Sequence, residues 1–123
     1  MDWSEDTQRL PWSFFYLEAG AVPIRFLISS RRMVYLKTIL NRNDEEFTKR
    51  IYNQQKLDPT SGDFYLLVKE DFNSINEVLD GNEIKKVNAK VHKDTIKKKV
   101  KLAAFNYLTE IQQSHSKVKD ILY

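Results

Sequence analysis

Apolar residues along the last third of the chain recur with helical spacing. Ile96, Val100, Ala103, Ala104, Tyr107, Leu108 and Ile111 fall at offsets 0, 4, 7, 8, 11, 12 and 15, which places them on one face of a helix opening near His92 to Asp94. Upstream, Ile24, Phe26, Leu27, Ile28, Met33, Val34, Tyr35, Leu36, Ile39 and Leu40 form a denser apolar set behind Pro23, a residue suited to a helix's first turn. So broad an apolar surface predicts the central helix of the fold. The run from Val22 to Ile28 is apolar on all sides and is also compatible with a buried strand.

Between these two segments the pattern predicts shorter helices. Asn43 followed by Glu46 matches an N-cap with an acidic partner three residues on, opening a helix whose Phe47, Ile51 and Leu57 would face the core. Asp58-Pro59 ends it. Thr60, Ser61 and Asp63 are candidate caps for a helix carrying Phe64, Leu67, Val68, Phe72 and Ile75 at helical spacing. Asp80-Gly81-Asn82 is expected to be a turn, followed by a weakly apolar piece with Ile84, Val87 and Val91. The fold class expected from these elements is mainly α, a single compact bundle of about four to six helices.

Composition narrows this picture. A length of 123 residues with 41% hydrophobic side chains suits one core, and no repeat, low-complexity tract or composition break divides the chain. There is no cysteine, which removes disulfides, thiolate metal sites and cysteine nucleophiles by inventory. No apolar run approaches the roughly 20 residues of a membrane span, and the acidic opening Met1-Asp2-Trp3-Ser4-Glu5-Asp6 is unlike a signal peptide. A cytoplasmic or nuclear location, without secretion or membrane contact, is the expectation.

The net charge of +3 conceals a marked segregation. Residues 1–21 sum to −3 and residues 43–84 to −6. Residues 22–42 carry Arg25, Arg31, Arg32, Lys37 and Arg42 without an acid, and residues 85–101 carry eight lysines against Asp94 alone, giving +5 and +7. Two segments can therefore form local basic faces suited to phosphate. Within them Arg25, Arg31, Arg32, Lys37, Lys97, Lys98, Lys99 and Lys101 are the candidate nucleic-acid contacts, arginine because its planar fork matches phosphate geometry. One arginine of the Arg31-Arg32 pair is alternatively a brace for an acidic loop from residues 43–84. Phe26, Tyr35, Phe105 and Tyr107 flank these segments but at helical spacing belong to the core.

No catalytic constellation emerges, and the chain is expected to be a non-enzyme without cofactor or metal. His92 and His115 lie 23 residues apart, outside any zinc spacing, and His115 has no nearby acid to orient it. Glu70-Asp71 and Glu45-Glu46 are adjacent, so on a helix they diverge by roughly 100° and read as solvated surface carboxylates.

Several short strings carry a resemblance. Tyr16-Leu17-Glu18-Ala19-Gly20-Ala21-Val22-Pro23-Ile24-Arg25-Phe26, then Arg31-Arg32, Tyr35-Leu36 and Ile39-Leu40, resemble the segment that follows the polymerase domain in Dong-like non-LTR retrotransposon proteins. The similarity continues through Gly62-Asp63-Phe64, Leu67-Val68-Lys69, Asp71, Lys97-Lys98-Lys99-Val100-Lys101, Ala104-Phe105, Tyr107-Leu108 and His115-Ser116-Lys117. It covers residues 16–123, leaving residues 1–15 as a segment of unclear origin. The resemblance implies a helical thumb and linker region between a reverse transcriptase core and a zinc knuckle with a restriction-like endonuclease, a region that helps hold template RNA and target DNA. The chain departs from the family in lacking the polymerase aspartate pair, the knuckle and any endonuclease motif, so no enzymatic activity carries over. Lys37 stands where family members often have histidine, and Phe64 where tryptophan is common. A truncated or fragmentary copy is the expectation.

Two functions remain open at this level. One is a nucleic-acid-binding helical module contacting RNA or DNA phosphates. The other is a protein-interaction module, or inactive remnant, whose apolar 22–40 segment packs on a polymerase core or other protein.

Overall fold

Five helices and their connections are described by a computed structural model over residues 22–122, with side chains as far as Ser114. The segment 1–15, the string from Tyr16 to Ala21 and the side chains of His115-Ser116-Lys117 lie outside the described residues. The helices are α1 (Ile24–Leu40), α2 (Phe47–Leu57), α3 (Phe64–Ser74), α4 (Gly81–Lys86) and α5 (Ala89–Leu122). The chain is thus a mainly α bundle, with no strand among the described residues. The dense apolar run after Pro23 is helix and not a buried strand.

The central position of α1 follows from its composition, and it packs against all four other helices. Met33 and Leu36 are fully enclosed, joined by Phe26, Ile39 and Leu40. Around them gather Val68, Phe72 and Ile75 of the α3 end, Ile84 of α4, and Ile96, Val100 and Ala104 of α5. The α5 stripe read from periodicity is the stripe that packs. Phe26 meets Tyr107 at a centroid separation of 5.6 Å, and His92 meets the backbone of Met33, so α1 and α5 run antiparallel.

Local sequence explains most of the helix ends. Pro23 is the N-cap of α1, one position before the first turn. Asp80 is not part of a free turn: it caps α4, its carboxylate accepting from the Asn82 and Glu83 amides at 3.1 and 3.3 Å. Asn88 does the same for α5, accepting from Lys90 and Val91, and so begins that helix earlier than its apolar stripe indicates. The end of α3 is closed by Asn76 at φ 58°. With Glu77 N donating to Phe72 O and Asn76 N to Asn73 O, this is a Schellman closure, in which asparagine tolerates the left-handed conformation usually left to glycine. Gly62, at φ 91°, occupies the turn closed by Asp63 N donating to Thr60 O.

The facing of α2 differs from the sequence expectation. Phe47, Ile51 and Leu57 are exposed, at 75%, 41% and 81%, while Lys49 and Tyr52 are buried. The helix starts at Phe47 behind Glu46, and Asn43 instead caps the preceding turn through Glu45 N. The turned face has a physical cause. Lys49 Nζ donates to Leu40 O at 2.8 Å, Gln55 Oε1 accepts from Tyr65 N at 3.1 Å, and the Tyr52 ring meets Tyr65 edge-on at 5.7 Å. Thus α2 supplies partners to the backbone groups that α1 leaves at its C-terminus and α3 at its N-terminus. Leaving those groups buried and unpaired costs roughly 1–3 kcal/mol each.

Candidate nucleic-acid interface

Among the eight basic residues singled out in the sequence, the structure divides surface charges from structural ones. Arg32 lies half-buried, its Nε and Nη2 donating to Asp71 at 2.7 and 2.9 Å, while Ser29 Oγ donates to the same carboxylate at 2.8 Å. The Asp71 hydrogen bonds hold the Arg32 guanidinium above its ordinary pKa. Asp71 is 6% exposed, a correction to its expected place as a solvated surface carboxylate. The acid that takes up Arg32 belongs to helix α3 and not to a loop.

Lys37 is also turned inward. Its Nζ donates to Ile84 O and Lys85 O at 2.9 and 3.0 Å, capping the C-terminal end of α4, where a cation is favoured by the exposed carbonyls. Lys99 is half-buried and paired with Glu77 Oε1. Arg25 is exposed, and its guanidinium lies over Tyr107 at 4.3 Å and Phe26 at 4.8 Å from the ring centroids, so it serves partly as a lid on that aromatic pair.

Arg31, Lys97, Lys98 and Lys101 are exposed. Arg31 stands on α1 and the three lysines on α5, two helices that meet through Phe26, Met33, His92 and Tyr107. The α5 face is the larger. Lys90, Lys97 and Lys101, spaced by seven and four residues, line one flank of the helix, Lys98 stands beside them, and Lys85, Lys86 and Lys93 add amines around its N-terminal end. All seven of these lysines are exposed, with Asp94 the exposed acid within the same stretch. From Lys90 to Lys101 the row spans about 16 Å at 1.5 Å per residue. Lys85, Lys86, Lys90 and Lys93 were not singled out as contacts from sequence, although the charge of the 85–101 segment contains their signal.

Sequence inspection also missed the interior polar residues. His92 is 6% exposed, with Nε2 3.0 Å from Met33 O, a contact only a proton on Nε2 can make into a hydrogen bond. A cleft of about 490 Å³ beside it is lined by Phe72, Ile84, Val87 and Ile96 and bordered by Glu77, Asp80, Glu83, Lys86 and Lys99. Its border mixes both signs of charge, so it presents no single-sign field to an anion. Phe105, expected in the core, is 56% exposed on the outward side of α5, and Tyr35 and Tyr107 are 45% and 37% exposed. Of the four flanking aromatics, Phe26 alone is fully in the core.

Among the described residues no cluster of three or more His, Asp or Glu is placed to hold a metal ion, and no helix is long and apolar enough to cross a membrane. No family model, curated protein or solved structure matches the chain.

Proposed function

We propose that this chain is a non-catalytic, nucleic-acid-binding helical module that meets phosphates through the outward face of α5. The observation that carries this reading is the concentration of seven exposed amines against the exposed Asp94 between Lys85 and Lys101. Five of these amines stand on α5, which holds them in register, and Lys85 and Lys86 end α4 just before it, so that each contact releases condensed counterions and affinity falls with salt. The resemblance of residues 16–123 to the post-polymerase region of Dong-like retrotransposon proteins supports the same reading. On it the chain corresponds to a thumb and linker region. Arg31, exposed on α1, is a further contact; Arg32, Lys37 and Lys99 serve the fold.

The test separates structural from surface lysines. Changing Lys97, Lys98 and Lys101 together to glutamine keeps helix propensity and removes three phosphate contacts. The slope of log affinity against log salt should flatten by about two to three units, from roughly 0.7 per contact for single strands to 0.9 for duplex DNA. Lys99→Gln alone should leave the slope unchanged. Equal affinity of the triple variant and the parent at matched salt would refute the assignment.

A second reading rests on a different surface. Ile24, Leu27, Ile28 and Tyr35 are 72%, 46%, 46% and 45% exposed and, with Arg31 among them, follow helical spacing along the outward side of α1. A mainly apolar stripe of this kind, interrupted by Arg31, fits a protein partner, such as the polymerase core implied by the resemblance. Concentration-dependent association that persists in high salt and disappears in an Ile24→Lys, Ile28→Lys variant would favour it.

A further inference from the structure

Phe105 and Leu102 are 56% and 61% exposed, and with Lys98 and Lys101 they occupy adjacent positions on the outward side of α5. Lys98 precedes Leu102 by four residues and Phe105 by seven; Lys101 precedes Phe105 by four. Along the helix axis Phe105 therefore stands about 6 Å beyond Lys101 and about 10 Å beyond Lys98, on the scale of one to two nucleotides. From this we infer that the α5 face takes single-stranded nucleic acid in preference to duplex, with phosphates at Lys97, Lys98 and Lys101 and an unpaired base stacked on Phe105. The inference rests on the nucleic-acid reading above and specifies which form of nucleic acid that face binds.

Charge and spacing select this occupant. A base has an apolar face that a phenyl ring can cover and a phosphate that a neighbouring amine can neutralise, so the two kinds of side chain are used together. A duplex offers its phosphates but not its base faces, which are stacked inside the helix, and leaves Phe105 without a partner. A lipid surface or a helical peptide groove calls for apolar anchors repeated over successive turns. On this side of α5 the exposed Val91 is separated from Leu102 by the turns that carry Asp94, Thr95 and Lys98, and the turn after Phe105 carries Thr109. The apolar patch is one turn long, the size of a base and not of a helix face.

Phe105 is held at its position without contributing to the core. Its carbonyl accepts from Thr109 Oγ1 at 2.8 Å, and Ala104 and Leu108 on either side of the stripe are buried. Replacing the ring therefore leaves the packed face intact.

The test compares fluorescein-labelled single-stranded RNA and duplex RNA of equal length by anisotropy at matched salt, using the full chain. The parent should bind the single strand more tightly. Phe105→Ala should weaken the single strand by about tenfold, the scale of one base–aromatic stack, and change the duplex by less than twofold. Phe105→Trp should restore single-strand binding. Unchanged helix content by circular dichroism confirms that each variant is folded. Two outcomes overturn the inference while leaving nucleic-acid binding in place: parent affinity for duplex equal to or above that for single strand, or equal effects of Phe105→Ala on both. A parent that binds neither RNA, nor single-stranded or duplex DNA of the same length, overturns both proposals together.

Discussion

Removing the Asp71 carboxylate should be among the most damaging single substitutions on the surface-to-core boundary. The carboxylate accepts from Ser29 Oγ, Arg32 Nε and Arg32 Nη2 at 2.8, 2.7 and 2.9 Å, and thereby ties α1 to α3. Its side chain is 7% exposed and that of Arg32 28%. Breaking a buried pair by deleting one partner costs about 3–5 kcal/mol, because the survivor keeps an uncompensated charge. Partial hydration of Arg32 relieves some of that penalty, so Asp71→Ala should lose about 3 kcal/mol. With roughly 4 °C per kcal/mol for a domain of this size, Tm should fall by about 12 °C. Urea unfolding followed by circular dichroism measures the loss directly, and an unchanged slope against urea would show that the same surface is still exposed on unfolding. Arg32→Met combined with Asp71→Leu removes both charges and should return most of the stability, to within about 1 kcal/mol of the parent. A loss below about 1 kcal/mol for Asp71→Ala would place the pair with ordinary surface ion pairs and refute its part in joining the two helices.

Two further outcomes follow from the interior. Lys37→Met removes the donor to Ile84 O and Lys85 O; hydrogen exchange should accelerate in α4, with a stability loss of about 1 kcal/mol and no change in the salt slope of nucleic-acid binding. The Tyr52 phenol is pushed up to about 12 from 10.0 by burial, so the unfolded chain ionises this group before the folded one does. Its contribution to stability is complete below pH 10 and is lost as the pH rises from 10 toward 12; Tyr52→Phe should make urea stability flatter across that window, and an identical alkaline decline in both proteins would refute the assignment.

Local pattern determined the helices themselves. The α5 stripe, the dense α1 run and the punctuation at Asp58-Pro59 each depend on residues within a few turns of one another, and backbone hydrogen bonding makes that range sufficient. It also made the 85–101 segment visibly basic. Asp63 is an N-cap by position, although its carboxylate serves the preceding turn by accepting from Thr60 N. Spacing could not set the rotation of α2, where Phe47 and Ile51 give way to Lys49 and Tyr52. That choice depends on orphan backbone groups at the ends of two other helices, brought near only when the bundle closes. The same holds for charge. Arg31 and Arg32 are neighbours in sequence, but a rotation of about 100° per residue sends one to solvent and the other to Asp71, 39 residues away. Lys37 and Lys99 are likewise claimed by Ile84 O and Glu77, and Phe105 is left outside because Ala104 and Leu108 fill the buried side of α5. Sequence alone thus determined where helices form and where charge concentrates; tertiary structure decided which charges remain at the surface, since only packing fixes what each side chain meets.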